Sequence, residues 1–502
     1  MSGAGCLGDV SSVPMAENHG RPGPAGPGVP AQTTESPSTN LIAALDEAPL
    51  GRFHLRAVLV SGMGFFTDAY DLFVIGVAST LIKQDWHLSA GKLGLLNSVT
   101  LGAAFVGALV FGRVADVAGR KRVYWMVAAI MVAGAIGSAA AGSFWMLVGF
   151  RFLLGLGIGG DYPVSAVLVS EYANRRDRGK LVGMVFATQA LGLIIGPLVA
   201  LSLLGAGTGA DIAWRTMLAL GAVPAAAVIY LRRKMPESPR YQAQVRGRGA
   251  EAGTELAAFS DGLVRAAPNG PRNAAPRGMT LRAFLTNRKY IVLLIGTAGT
   301  WFLLDYAYYG NTISTPQIIK LVAPHASPAT AIAIQLAIFV VAALPGYALA
   351  IMRMDRIGHR RLQLIGFAMM ALCFGVIAVV PGMTTAVVPF LVFFGISYFF
   401  TEFGPNTTTF VLPGEVFPVS MRATGHGISA SVGKFGAFVG VFLFPLLKDS
   451  LGLRGTLALT AGVSIAGLLL TRLLPEPSGH SLDEMASDDD AGPREAALVD
   501  AA

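Results

Sequence analysis

Apolar residues run through this 502-residue chain in successive stretches of about twenty, separated by short polar or charged segments. At ~1.5 Å of rise per residue, a helix of that length crosses the ~30 Å hydrocarbon layer of a bilayer. Twelve such stretches can be counted. They begin near Val58, Gly94, Val123, Trp145, Leu181 and Trp214, and then near Ile291, Ala329, Leu362, Ala386, Gly425 and Gly455. The pattern predicts an all-α membrane protein of twelve transmembrane helices. Residues 1–50 are rich in Gly, Pro, Ser and Ala with no apolar period, which predicts a disordered tail. No basic region precedes an apolar core there, so the first helix is expected to act as its own insertion signal.

Composition agrees with the pattern. Hydrophobic residues make up 53% of the chain and charged ones 14%, about half the charge usual for a soluble domain. The formal net charge of +8 would suit nucleic acid, but its placement argues for topology and anionic membrane lipid instead. Lys and Arg cluster in alternate loops: Arg113 with Arg120 to Arg122, Arg175 to Lys180, Arg232 to Lys234, and Arg353 to Arg361. The loops between them hold scattered cations such as Lys83, Lys92, Lys320, Lys448 and Arg454. Cations favour the cytoplasmic side, so with an even number of spans both termini are expected there. Cys6 and Cys373 make a disulfide framework implausible.

The chain divides at its middle. A polar stretch, 232–288, interrupts the spans and reads as a cytoplasmic linker between bundles at 51–231 and 289–475, with an acidic cytoplasmic tail over 476–502. The halves repeat each other. Asp116 through Arg122 after the second span recurs as Asp355 through Arg361 after the eighth, 239 residues on. Glu171 and Arg178 match Glu415 and Arg422 at 244, and Pro236-Glu237 matches Pro475-Glu476 at 239. Three matches at equivalent helix ends point to duplicated six-helix halves.

The segment Gly112-Arg113-Val114-Ala115-Asp116 through Arg122 resembles the signature loop of the major facilitator superfamily. That resemblance implies two pseudo-symmetric six-helix bundles rocking about a central site. Asp116 is placed to hold cations or a helix N-terminus at the cytoplasmic side. With Arg120, Glu171, Arg178, Asp355, Glu415 and Arg422 it is a candidate gating set that locks one state of an alternating-access cycle.

An ionised side chain at the bilayer centre costs at least ~2.5 to 3.5 kcal/mol on insertion scales, so charges inside the apolar runs are functional candidates. They are Asp68 and Asp71, Arg151 and Asp161, Asp305, Glu402 and Lys434. Asp161 lies ten residues past Arg151, roughly 15 Å along a helix and near mid-membrane. Gly155 and Gly159 form a small-xxx-small pair suited to close helix packing. The repeat sets Tyr162 against Asn406 and Asp68 against Asp305, so two polar residues and two acids should face a common axis. Trp301, Asp305 and Tyr309 are spaced by four and share one helix face. Gln189 and Lys434 complete a polar set able to receive an oxyanion.

Several segments together resemble a narrower group, the phosphate:proton symporters. They are Gly64-Phe65-Phe66-Thr67-Asp68 through Asp71, Gly159-Gly160-Asp161-Tyr162-Pro163, Trp301-Phe302-Leu303-Leu304-Asp305, Phe403-Gly404-Pro405-Asn406, and Pro413-Gly414-Glu415 through Lys434. The resemblance implies a site for inorganic phosphate at Tyr162, Gln189, Trp301, Asp305, Tyr309 and Asn406, with Lys434 nearby. It implies protons carried by Asp68, Asp161 and Asp305, with Asp71 in the same acidic set and Arg151 as a counter-charge. It departs at Val127, where fungal members carry an acid, which leaves the proton exit unassigned. Each negative charge moved inward against an inside-negative potential costs ~2.3 kcal/mol per 100 mV, so phosphate would need at least two or three protons.

Rivals of the same fold are a sugar or organic-acid symporter, which would share Pro236-Glu237-Ser238-Pro239-Arg240, and a drug exporter, hinted at by Gly192 through Pro197. A nutrient sensor without turnover is a rival of another class. An enzyme is disfavoured: no nucleotide loop, metal-ligand spacing or nucleophile elbow occurs, and no cofactor or metal is expected. A monomer is the expected state.

Overall fold

The computed structural model describes residues 37–264, 279–326, 328–482 and 485. Helices fall at all twelve predicted positions, and no strand occurs among the described residues. A short helix, α1 (Pro37–Asp46), comes first. The first half follows with α2 (Arg52–Asp85), α3 (Ala90–Ala118), α4 (Arg120–Ala139) and α5 (Phe144–Tyr172). Its fifth position is the pair α6 (Arg178–Ala187) and α7 (Gln189–Gly205), and its sixth the pair α8 (Ala210–Leu220) and α9 (Ala222–Lys234). Between the halves lie a π turn at Tyr241–Val245 and the short helices α10 (Gly249–Phe259) and α11 (Leu281–Thr286).

The second half begins with α12 (Arg288–Val322). Its eighth position is α13 (Pro328–Ile338) and α14 (Leu344–Ile357), joined through a π turn at Phe339–Ala343. Then come α15 (His359–Val379), and α16 (Val387–Phe403) with α17 (Pro405–Val411) and α18 (Pro413–Val416). The last helix, α19 (Arg422–Thr471), holds two spans and turns at Gly452, where φ is 68°. Ten of these stretches are long and apolar enough to cross a membrane. The other two positions, first and sixth, are filled by α2 and by the α8 and α9 pair.

The surface is inverted relative to a soluble protein. Large apolar side chains such as Leu59, Val341, Val388 and Phe442 face outward, whereas aspartates, arginines and threonines are buried. Lipid is as apolar as those side chains, so helix association rests on close packing. A Cβ on Gly155 or Gly159 would overlap the α3 backbone at Thr100 or Ala104, which is the packing expected of that glycine pair.

The internal repeat is visible as matched helix caps. Gly119 (φ 102°) and Gly358 (φ 99°), 239 residues apart, turn the chain between the second and third spans of each half. Those backbone angles are close to ones only glycine adopts readily. Just past each turn a glutamate from the end of the same half caps the next helix. Glu237 accepts from the Arg120 and Lys121 amides at 3.1 and 3.2 Å, and Glu476 from the His359 and Arg360 amides at 2.8 and 3.0 Å. A carboxylate there satisfies orphan N–H groups and opposes the helix dipole.

The expected tail is structured at its end. Leu41, Leu45 and Ala48 are buried, and the Arg175 amide donates to the Asp46 carbonyl at 2.9 Å. Residues 1–36 with Cys6, 265–278 of the expected linker, and the acidic run around Asp488 to Asp490 lie outside the described residues.

Candidate substrate and coupling site

Lys434, on α19, is the cation at the centre. Its Nζ donates to Asp305 Oδ2 at 3.1 Å and to the Tyr309 hydroxyl at 2.9 Å, both on α12. It lies 4.4 Å from the centroid of the Tyr162 ring of α5 and 4.5 Å from that of Tyr309. An ammonium out of water is retained only with such partners. The Tyr162 and Tyr309 hydroxyls are within bonding reach of each other, so the two halves meet at this cation. Trp301, one turn before Asp305, directs its indole at that carboxylate and stands 6.1 Å from the Tyr162 ring. The expected shared face of Trp301, Asp305 and Tyr309 is therefore real and points inward.

A second group joins the halves beside it. Asn406, at the start of α17, donates to the Tyr347 hydroxyl at 2.8 Å and to Glu402 Oε2. Gln189, at the start of α7, also donates to the Tyr347 hydroxyl. Between the two groups is a cavity of about 20 Å³, measured to the centre of a water-sized sphere and lined by Ala69, Gln189, Leu193, Tyr308, Tyr309, Thr312 and Ile313. That is room for roughly one water. An anion larger than water does not fit in that cavity.

Three more acids are buried within the first and fourth spans. Asp161 is bonded on both oxygens by Arg232, at 2.8 and 3.2 Å. Arg232 also lies 4.2 Å over the Tyr124 ring. Asp71 pairs with Arg151 at 3.4 Å. Asp68 is buried, and neither of its oxygens has a hydrogen-bond partner. The charge opposite Asp161 is thus Arg232, and Arg151, the counter-charge expected for the acidic set, pairs with Asp71. In sequence Arg232 clusters with the loop cations, but its side chain turns inward and is fully buried. Val127 is buried on α4.

At the end that carries the basic loops, the candidate gating residues form two related lattices. In the first, Asp116 Oδ2 accepts from the Thr424 amide and hydroxyl, each at 2.6 Å, at the N-terminus of α19. Arg120 bonds Asp116 at 2.9 Å, Glu171 at 3.2 Å and the Val419 carbonyl at 2.8 Å. Glu171 also holds Arg422 at 3.3 Å. In the second, Asp355 accepts from the Lys180 amide at 2.8 Å, and His359 bridges Asp355 at 3.2 Å and Glu415 at 2.8 Å. Arg178, the repeat mate of Arg422, reaches the His480 carbonyl at 3.2 Å and Asp46 at 3.6 Å. Each half thus caps a helix of the other, and this end is closed.

All seven residues expected at the substrate lie in the two central groups. The structure adds Tyr347 and Tyr308 to these groups and brings the intramembrane acid Glu402 beside them. Tyrosines in an apolar run carry no periodic signal. The acid itself was the available clue.

The profile of the family described as "Sugar (and other) transporter" matches residues 57–488. The chain is 37% identical over 520 residues to "Inorganic phosphate transporter 1-6" of Oryza sativa subsp. japonica, covering 91% of this chain and 97% of that protein. It is 36% identical over 497 residues to "Probable inorganic phosphate transporter 1-6" of Arabidopsis thaliana, covering 89% and 96%. Among solved structures it is similar to the major facilitator proton:xylose symporter XylE bound to 6-bromo-6-deoxy-D-glucose. That likeness has a TM-score of 0.73 at 20% identity, over 86% of this chain and 98% of the other, and it concerns the fold alone. With two repeat-related halves, a buried cation between them and relatives of that kind over nearly the whole chain, this protein belongs to the major facilitator superfamily and, within it, to the inorganic phosphate transporters.

Proposed function

We propose that this protein takes inorganic phosphate into the cell across the plasma membrane, driven by protons, with both termini cytoplasmic and the basic-loop end facing inward. The observation that carries the reading is Lys434, a buried cation at the junction of the halves whose acidic partner, Asp305, is itself a proton acceptor. A sugar site has no need of such a cation. The names of the relatives support phosphate in particular.

The pair gives a coupling rule. While Asp305 is ionised, Lys434 is neutralised and a second anion is repelled. Protonating Asp305 frees the ammonium for phosphate and turns the carboxyl into a hydrogen-bond donor towards it. Tyr162, Gln189, Trp301, Tyr309 and Asn406 supply the remaining contacts. Loss of the proton to the cytoplasm restores the Lys434 to Asp305 bond and expels the anion. Asp68, without a hydrogen-bond partner, is the second carrier, and the pairs of Asp161 with Arg232 and Asp71 with Arg151 shape the path between them.

The Asp116, Arg120, Glu171 and Arg422 lattice and its mate at Asp355, Arg178 and Glu415 act as the inner gate, opening when the two six-helix bundles rock apart. The halves act within one chain, so a monomer in lipid suffices. The test is Asp305→Asn. The amide still donates to phosphate but cannot exchange a proton, so phosphate-for-phosphate exchange in proteoliposomes persists while accumulation driven by a pH gradient is lost. Proton-driven accumulation at the native rate in that variant contradicts the rule.

A further inference from the structure

Glu402 has no place in the mechanism above, and its surroundings are unusual for a buried acid. It sits on the last turn of α16, just before the chain breaks at Gly404 (φ −112°, ψ −108°) and restarts at Pro405. Among the described residues no Lys, Arg or His pairs with it. The titratable groups that face it are all neutral hydroxyls: Tyr308 of α12, Tyr347 of α14 and Tyr398 of its own helix. Its donors are the Asn406 amide on Oε2 and the Tyr308 and Tyr347 hydroxyls, none of which carries a charge. Burying a carboxylate with no cation is costly in protein and in lipid alike.

The donors around it are the same groups that the phosphate reading needs. The Asn406 amide has two N–H groups. One goes to Glu402 Oε2 and the other to the Tyr347 hydroxyl, so neither is left for a substrate. The Tyr347 oxygen already accepts from Asn406 and Gln189, and its single proton is directed at Glu402. The carboxylate therefore occupies the position of an anion towards these donors.

We propose that Glu402 is a proton-carrying positioning residue: ionised, it holds Asn406 and Tyr347 away from the substrate, and protonated, it releases their donors to the bound anion. The inference rests on the reading of proton-coupled phosphate carriage, and it adds one carboxyl to the proton count of that cycle. Binding of phosphate and binding of a proton at Glu402 then favour each other, as linked equilibria must.

The test is the pH profile of KM for radiolabelled phosphate, measured in proteoliposomes on the full chain and on Glu402→Gln. Each proton taken up with the substrate steepens the rise of KM with pH by up to about tenfold per pH unit. The expected result is a slope in Glu402→Gln lower than wild type by up to that factor over the range where Glu402 titrates. Glu402→Asn should show the same flattening, which covers poor folding of one variant, and Glu402→Asp should restore the slope. Parallel profiles for wild type and the neutral variants overturn the inference. So does loss of all transport in both neutral variants at normal membrane levels, because the neutral amide mimics the competent form. Wild-type protein that carries no phosphate overturns the inference together with the reading beneath it. Wild-type proton-coupled uptake with parallel profiles overturns the inference alone.

Discussion

Arg232 and Asp161 make two charge-assisted bonds to each other inside the first half, with the guanidinium over the Tyr124 ring. Removing one partner of a buried pair leaves the other charge without compensation, at a cost of roughly 3–5 kcal/mol. Arg232→Ala should therefore lower the thermal unfolding midpoint of the detergent-solubilised protein sharply. The double replacement Arg232→Met with Asp161→Asn should recover most of that loss, because no unpaired charge remains. Equal loss in the single and double variants would show that packing, not charge, holds the site. This pair was half legible in the chain. Asp161 stood out as an acid in an apolar run, but Arg232 was hidden among cations that the topology rule explains without reference to where their side chains turn. A long guanidinium at a helix end reaches either water or the interior, and only the position of Asp161 on another helix decides which.

Elements were legible where period and repeat spoke together. The twelve apolar runs begin within a few residues of helices, and Gly119 with Gly358 recur at the turns where the repeat placed them. Helix α1 escapes a sequence reading because it is only ten residues long and follows a Gly- and Pro-rich stretch, although Leu41, Leu45 and Ala48 fall at helical spacing. Its order comes from contacts remote in sequence: Asp46 is bonded by Arg240 and by the Ser481 hydroxyl at 2.9 Å, and the Asn174 amide donates to the Ala48 carbonyl at 2.8 Å. Two predictions belong here. Gly119→Ala and Gly358→Ala each force a side chain into backbone angles that cost about 1–3 kcal/mol, and each crowds its capping glutamate. Both should lower stability by comparable amounts in unfolding assays. Glu237→Ala and Glu476→Ala remove matched caps, with expected losses of about 0.5–2 kcal/mol each. A large effect in one half and none in the other would contradict the equivalence of the caps.

At the scale of the whole molecule, the closed basic-loop end is held by each half capping a helix of the other, through Asp116 at Thr424 and Asp355 at Lys180. Asp116→Asn keeps the shape but weakens the charge-assisted bonds to Arg120 and to the α19 N-terminus. A loss of about 1–2 kcal/mol from the closed state raises the open population 5- to 30-fold. Spin labels at Arg122 and Arg361, exposed positions in the two halves, should then report longer distances than in the wild-type gate. An unchanged distance distribution would remove Asp116 from the gate.

The central claim is that Lys434 and Asp305 couple phosphate to protons. Its most direct test is uptake of radiolabelled phosphate by the purified protein in proteoliposomes under an imposed inward proton gradient, competed by arsenate and by sugars. The account predicts accumulation that collapses when the gradient is dissipated, is blocked by arsenate and is indifferent to sugars. Accumulation of a sugar without phosphate, or phosphate uptake that ignores the gradient, would contradict it.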